Sequence, residues 1–489
     1  MSLQDVTEET LAEIAKAQTT GILESTGTYS YDLTGIVRLI PVPTPFRDLV
    51  ARAAAPNGNP YAVWRAFLNL NNAQSSPFPG FDKPGNEVVF SEQDFQAAYK
   101  PLALAGLVTQ DAFDFAKGLY DPYAEATFQT LNQFLIAEDK ALIGASSTGL
   151  PQPGTITIVN NTTGGSIAAS TTIQVAVAAR TGMNYYYGTG NSQAKASTTI
   201  TTTGSTSSLV ASIAAVQGAV AYDWFFSPNS GTTWYYASTT TTATYTFTAT
   251  LAANAAVPTT LADINTTNVP TVNTAADNGS AQAAEFDGFL TSLSADYNAT
   301  GQFVKKGTGT ANPSTFVDGG GAALTLTGGS VTQIEALFAS LWTAIKASPT
   351  ALMMNAAQAQ EIANLVLSQP SAVTYLETDT SGRVNVTAGG RVGQIVNTPA
   401  GGVTVPIEVH TSLPPGTIIA RSDRVPFPQA NISSVLEVRT LRDVSQFDYA
   451  TNRVANTIGG GPRKEFEIRS VEAFVNRAPV SMAVLGNVA

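Results

Sequence analysis

The residues able to do acid–base or metal chemistry in this 489-residue chain are few and poorly spaced for it. The one histidine, His410, alternates between Val409 and Thr411 in a strand-like run, which makes it a polar strand-face residue rather than a general base. Cysteine is absent, so no thiolate nucleophile, thiolate metal site or disulfide framework exists, and one imidazole cannot build a triad or a histidine-based zinc site. Asp111, Asp114, Glu138 and Asp139 have helix caps and solvent faces as their default positions, with a cation-binding pair as the alternative. Gly319 to Gly321 and Gly459 to Gly461 lack the preceding strand and following helix start of a phosphate cradle, and Gly188-Thr-Gly190 lacks a closing Gly-Lys-Ser/Thr. Trp64, Trp224 and Trp342 fit core packing better than a ligand cage. No catalytic residue, metal or cofactor is therefore expected. One local basic cluster remains: Arg38, Arg47, Arg52 and Arg65.

Composition points the same way. A net charge of −11 opposes a broad phosphate-gripping surface, which needs clustered Lys and Arg. An apolar share of 44% suits a globular protein with a sizeable core, yet only 12% of residues are charged, about half the usual share. Small polar residues fill the difference, so large surfaces are expected to be covered by neighbours. The first residues, with Asp5, Glu8 and Glu9, lack the marks of a signal peptide, and no run of eighteen apolar residues suggests a spanning helix, so no membrane contact is expected.

The elements that position these residues begin with a short helix capped by Thr7, with Val6 and Leu11 as a hydrophobic staple. From Ile36 to Pro45 alternate prolines forbid a helix and give an extended arm. Tyr61 to Phe67, returning through Glu87 to Phe90, reads as a long hairpin with a proline-rich tip at 75–86. Asp121 caps a helix with Pro122 at its first position; Ala124, Phe128, Leu131, Leu135 and Leu142 share a face before Gly144, giving a rod about 33 Å long. Ser330 with Gln333, and Asn355 with Gln358, read as capping boxes of two later helices. Strands follow at Val403 to His410, Thr417 to Ala420, Ser434 to Thr440, Glu465 to Phe474 and Val480 to Leu485, after a glycine-rich stretch at 382–402.

Between Pro151 and Ala255 the chain nearly abandons charge, keeping Arg180, Lys195 and Asp223. Runs at Thr155 to Val159, Thr172 to Ala178, Ala219 to Phe226, Thr233 to Tyr236 and Thr242 to Ala249 read as a β-sandwich, with Tyr185 to Tyr187 at a strand end. Trp224 sits where an immunoglobulin-like domain places its core tryptophan, here without the disulfide. The block reads as an insertion in weak contact with its host, so deleting about 153–255 and closing with a short Gly-Ser linker is expected to leave assembly of the chain intact.

The order of parts, with "IPVPTPFR", "AEDKALIGASSTGLPQP", "TALMMNAAQAQEI", "VPIEVHTSLPPGTIIA", "VRTLRDVSQFDYATNR" and "FEIRSVEAFVNRAPVSMAVLGNV", resembles the major capsid protein of tailed bacteriophages, the Hong Kong 97 phage-type fold. The likeness covers about 1–150 and 280–489. It implies an α+β chain divided into an N-terminal arm at 1–50, an E-loop region at 51–108, a P-domain spine helix at 109–150, the immunoglobulin-like insertion at 151–257, an A-domain with linker at 258–433, and a return to the P-domain at 434–489.

The resemblance also implies a structural protein, not an enzyme, that self-assembles as pentamers and hexamers of an icosahedral head around double-stranded DNA, with the insertion as a surface decoration. Its expected place is the virion, assembled in the host bacterial cytoplasm. Expected partners are copies of itself, scaffolding, portal and decoration proteins, packaged DNA through weak non-specific contacts, and a host-surface glycan for the insertion. Arg38, Arg47, Arg52, Arg65, Phe78, Phe81 and Lys83 are the candidate intersubunit contacts, and Trp224 the candidate core of the insertion. The arginines face DNA or pair with acids of an adjacent subunit, the second being favoured. The family's Lys to Asn cross-link would need Lys83 or Lys100, whose surroundings do not match closely enough to assign it. The alternative reading is a bacterial cell-surface or adhesion protein built around the insertion.

Overall fold

The computed structural model describes residues 43–55, 58–69, 78, 81–85, 91–116, 121–187, 192–231, 234–250, 284–327, 329–367, 377–378, 384–385, 392–423, 434–449 and 463–489. The expected Thr7 helix, Arg38, the runs Gly188 to Gly190 and Gly459 to Gly461, the linker at 258–278 and residues 382–383 and 386–391 of the glycine-rich stretch lie outside them. The α+β class read from the sequence holds.

Two strands of 14 residues each, Leu436–Tyr449 and Arg463–Asn476, centre a four-stranded sheet. Ala51–Ala54 joins one side in parallel and Lys100–Thr109 the other in antiparallel. The last strand carries Pro101, which an edge position tolerates because its missing N–H is not needed there. Across the sheet lies the long helix, Pro122–Gly144; the Asp121 carboxylate accepts from Tyr123 N at 2.9 Å and Ala124 N at 3.3 Å, with Pro122 next to it. The expected face holds in part, with Leu131 and Leu135 packed against the sheet's cluster and Leu142 fully buried. Phe134 turns inward onto Val108, Phe466 and Ile468, while Phe128 is 38% exposed.

The hairpin pairs Tyr61–Asn69 with Ser91–Ala98, so its return strand lies later in the chain than expected; 86–90 fall outside the described residues. Trp64 stacks on Phe95 with centroids 5.8 Å apart, and Ala62 and Ala97 seat the hairpin base on Ala473 and Val475 of the sheet.

A second host layer is a six-stranded sheet in the order Thr315–Asp318, Ala483–Gly486, Ile418–Arg421, Ala351–Met354, Val403–Val409, Gln394–Asn397. Helices Thr332–Ile345 and Ala356–Leu367 cover it through Leu337, Phe338, Leu341 and Ile362. The expected Ser330–Gln333 capping box is not made: Val331 holds the cap position, and the Gln333 side chain accepts from Thr325 N at 3.0 Å instead. Asn355 does cap its helix, accepting from Ala357 N at 3.0 Å.

Residues 157–247 form two facing sheets. One has Tyr235–Thr240, Ala221–Ser227, Thr172–Arg180, Lys195–Ala196 and Ile200–Thr201; the other has Thr244–Phe247, Ser208–Ser212 and Thr157–Asn161. Ile173, Val175, Val177, Leu209, Trp224, Phe226 and Phe247 fill the space between them. Tyr185 to Tyr187 are not on a strand end but in a short helix, Gly182–Tyr187, packed on the end of the long helix. Lys140 of the long helix holds its ammonium 4.4 Å from the Tyr186 ring.

The expectation of weak contact with the host is overturned. Val220 and Ala221 belong to the central core of the molecule together with Phe46, Leu142, Phe289, Leu293, Ile419 and Phe474. Ala243 N donates to Asn487 Oδ1 at 2.7 Å. Gly144 and Gly182 approach so closely that a Cβ on the first would stand 2.7 Å from the backbone of the second.

Candidate functional site

The hairpin presents its apolar side chains to water at the tip: Phe78 is 85% exposed and Phe81 102%, with Lys83 exposed beside them. Leaving the Phe81 ring in water forgoes about 2 kcal/mol relative to burial. Such a surface has a physical rationale where another surface covers it.

The arginine cluster is divided by the structure. Arg65, on the hairpin, bridges strands: its Nε lies 2.6 Å from Asp94 Oδ1, and NH1 lies 3.4 Å from Glu92. Arg47 and Arg52 turn inward instead. Arg47 Nε donates to Glu138 Oε2 at 2.9 Å, and Arg52 pairs with Glu138 and lies 3.5 Å from Glu472 Oε2. All three therefore have carboxylate partners within their own chain. Desolvation lowers the Arg52 pKa from its ordinary value, against the pull of Glu472, and burial raises that of Glu472.

Glu138 and Asp139, given solvent or cap positions by the sequence, are both 0% exposed. They are consecutive residues in the last turns of the long helix, and each fastens a different segment. Glu138 takes the two arginines. Asp139 Oδ1 accepts from Phe46 N at 3.0 Å and Arg47 N at 2.8 Å, which caps the short helix Pro45–Leu49 from outside, and its other oxygen accepts from the Ser412 hydroxyl. Burial raises the Asp139 pKa, opposed by the Ser412 and backbone hydrogen bonds.

His410 is likewise buried, at 3% exposure, with Phe46 edge-on at 6.3 Å and its Nε2 3.5 Å from Glu408 Oε2. Hydrogen bonding from His410, with Arg421 adding to it, holds Glu408 below the usual carboxylate range. Arg421 NH2 reaches both Glu408 oxygens at 2.8 and 2.9 Å. The junction thus ties the start of the described chain, the long helix and the six-stranded sheet together through charge. No sequence signal marks it beyond acids on a helix that is otherwise short of charge.

Trp224 is 0% exposed; its Nε1 donates to Thr240 Oγ1 at 2.8 Å and its ring stacks on Tyr245. Asp111 and Asp114 lie on the helix Gln110–Ala116 and are exposed. Among the described residues no three His, Cys, Asp or Glu side chains gather as a metal site, and no helix is long and apolar enough to cross a membrane.

No family model matches the chain and no curated protein is similar to it in sequence. Among solved structures it is similar to the capsid of a native GTA particle computed with C5 symmetry, at 10% identity over 96% of this chain and 98% of that one, with a TM-score of 0.41. The capsid asymmetric unit of cyanophage A-1(L) is similar at 10% identity over 94% of this chain and 97% of that one, with a TM-score of 0.44. A structure from Mycobacterium phage Adephagia is similar at 8% identity over 97% and 96%, with a TM-score of 0.37.

Proposed function

We propose that the chain is a major capsid protein of the tailed-phage type, assembling with copies of itself into pentamers and hexamers of an icosahedral head around double-stranded DNA. The observation that carries this reading is the hairpin: a two-stranded element seated on the sheet at its base, with Phe81 102% exposed beyond its strands. Burying about 25 cal/mol per Å² of apolar surface on a neighbour would repay that exposure. The internal pairing of Arg47, Arg52 and Arg65 leaves the packaged DNA to weak, non-specific contacts, in keeping with the overall negative charge. In this reading the sandwich at 157–247 is a decoration of the outer surface, and scaffolding and portal proteins complete the head.

The test is negative-stain microscopy and size-exclusion chromatography of the full chain, expressed with and without a scaffold of the same source. Capsomers or closed shells are expected. The double variant Phe78→Ser, Phe81→Ser should keep the subunit's thermal midpoint and lose the assemblies. Stable monomers from the unaltered chain under both conditions would overturn the proposal and favour the adhesion reading.

A further inference from the structure

Where the hairpin meets the four-stranded sheet lies a cavity of about 190 Å³. Tyr61, Trp64 and Tyr99 wall it from the hairpin side, and Arg439, Val475 and Arg477 from the sheet side. Val63, 59% exposed, also lines it, so the cavity opens to solvent. A space of roughly 150 Å³ already holds a benzene-sized molecule, so this one has room for a ligand group and its stem.

Two N–H groups of the lining residues lack an acceptor: Trp64 Nε1 and Arg477 Nε are both buried and without a hydrogen-bond partner. Buried donors are nearly always paired, so two orphans beside one open cavity mark a missing acceptor. Charge narrows what that acceptor is. Arg439 Nε lies 2.9 Å from Glu437 Oε1, and Arg477 NH2 lies 2.6 Å from Glu437 Oε2, so two guanidiniums share one carboxylate, itself 4% exposed. Among the described residues no second acid pairs with either arginine. The wall therefore carries one positive charge in excess, which water filling the cavity would leave unanswered.

We propose that this cavity is a carboxylate-binding site and that it takes an aspartate or glutamate side chain from a second copy of this chain. A carboxylate brings the one negative charge the wall lacks and two oxygens, one for each orphan N–H. The tyrosine and tryptophan rings and Val475 are left to contact its aliphatic stem. A phosphate brings up to two charges to a site with one to neutralise and with Glu437 close behind, which disfavours it. As for the source, the chain has 36 acidic residues against 25 basic ones, so each copy has carboxylates to spare. The cavity also lies at the root of the hairpin whose exposed Phe81 carries the assembly reading. The source rests on that reading; the site does not.

The chain has four tryptophans, so isotopic labelling of tryptophan nitrogen gives four indole N–H signals, and Trp64→Phe identifies the one at the cavity. Sodium acetate titrated into the full chain without scaffold, against sodium chloride at equal ionic strength, should shift the Trp64 signal downfield to saturation. Arg477→Lys keeps a cation for Glu437 but lacks the Nε–H, and should weaken acetate binding about fivefold. An unmoved Trp64 signal would overturn the site, as would inorganic phosphate shifting it at lower concentration than acetate. Should Arg477→Lys fail to fold, the parent titration alone remains decisive. With scaffold present, Arg477→Lys and Trp64→Phe should both lower the yield of capsomers in size exclusion. Undiminished yield in both would overturn the second copy as the source. A parent chain that binds acetate yet forms no capsomers would sink the assembly reading and, with it, the source, while the site itself stands.

Discussion

Glu138 shows how one residue with no local signature can hold distant parts of a chain in register. Its carboxylate, fully buried, serves Arg47 and Arg52, whose side chains are 22% and 23% exposed. Removing one partner of such a group leaves the others uncompensated, which costs more than the intact pair contributes. Glu138→Ala should therefore lower unfolding stability by about 3 kcal/mol, with water recovering part of the loss at the half-open arginines. Asp48 supplies the contrast: it lies 3.8 Å from Arg47 and is 67% exposed, so Asp48→Ala should change stability by less than about 0.5 kcal/mol. Urea unfolding midpoints of the two variants, measured side by side, check the ranking. Equal effects would mean that the buried junction is not where the arm is held.

At the scale of elements, the features legible in the sequence are those decided within a few residues. Asp121 and Pro122 set the start of the long helix through bonds to the next two amides, and Asn355 does the same for its helix. What was not legible depends on partners far along the chain. Asp139 meets Ser412 across 273 positions, Gln333 abandons its own cap for Thr325, and the tyrosines at 185–187 become helical against the long helix. The edge strand Lys100–Thr109 belongs with these, since Pro101 and Gly106 argue locally against a strand. Gly106 has a specific purpose there. It lies opposite Phe466 in the antiparallel register, and a Cβ would stand 2.8 Å from Phe466 Cε1 and 2.9 Å from Thr130 Oγ1 of the long helix. Gly106→Val gains strand propensity but drives the ring and the helix off the sheet, and overpacking of this kind outweighs the propensity gain by about 1–2 kcal/mol. Gly58→Ala, at a site with nothing within 4 Å, is the control and should be neutral. Near-UV dichroism and thermal midpoints distinguish loosened helix packing from global loss of fold.

For the whole molecule, the sandwich is where the sequence and the structure disagree most usefully. Its charge-poor composition and its own packed interior, built around Trp224 and Phe247, mark a unit that holds itself together. Its attachment is nonetheless part of the host's core, because Val220 and Ala221 sit among Phe289, Leu293 and Phe474, and Thr241 and Ala243 abut Gly416 and Asn487 at the far end of the chain. A unit merely hung on a loop would leave the host unchanged when cut away. Here deletion of 153–255 with a short Gly-Ser closure removes Val220 and Ala221 from that core and uncovers side chains packed on them, each full exposure costing about 1.5–3 kcal/mol. The shortened chain should therefore unfold at a lower temperature and bind a hydrophobic dye that the parent excludes, while residues 150–250 expressed alone should keep the blue-shifted emission of a buried Trp224. A shortened chain with the parent's midpoint and no dye binding would show that the seam contributes nothing to the host, and the sandwich would then be an ornament rather than a member of the core.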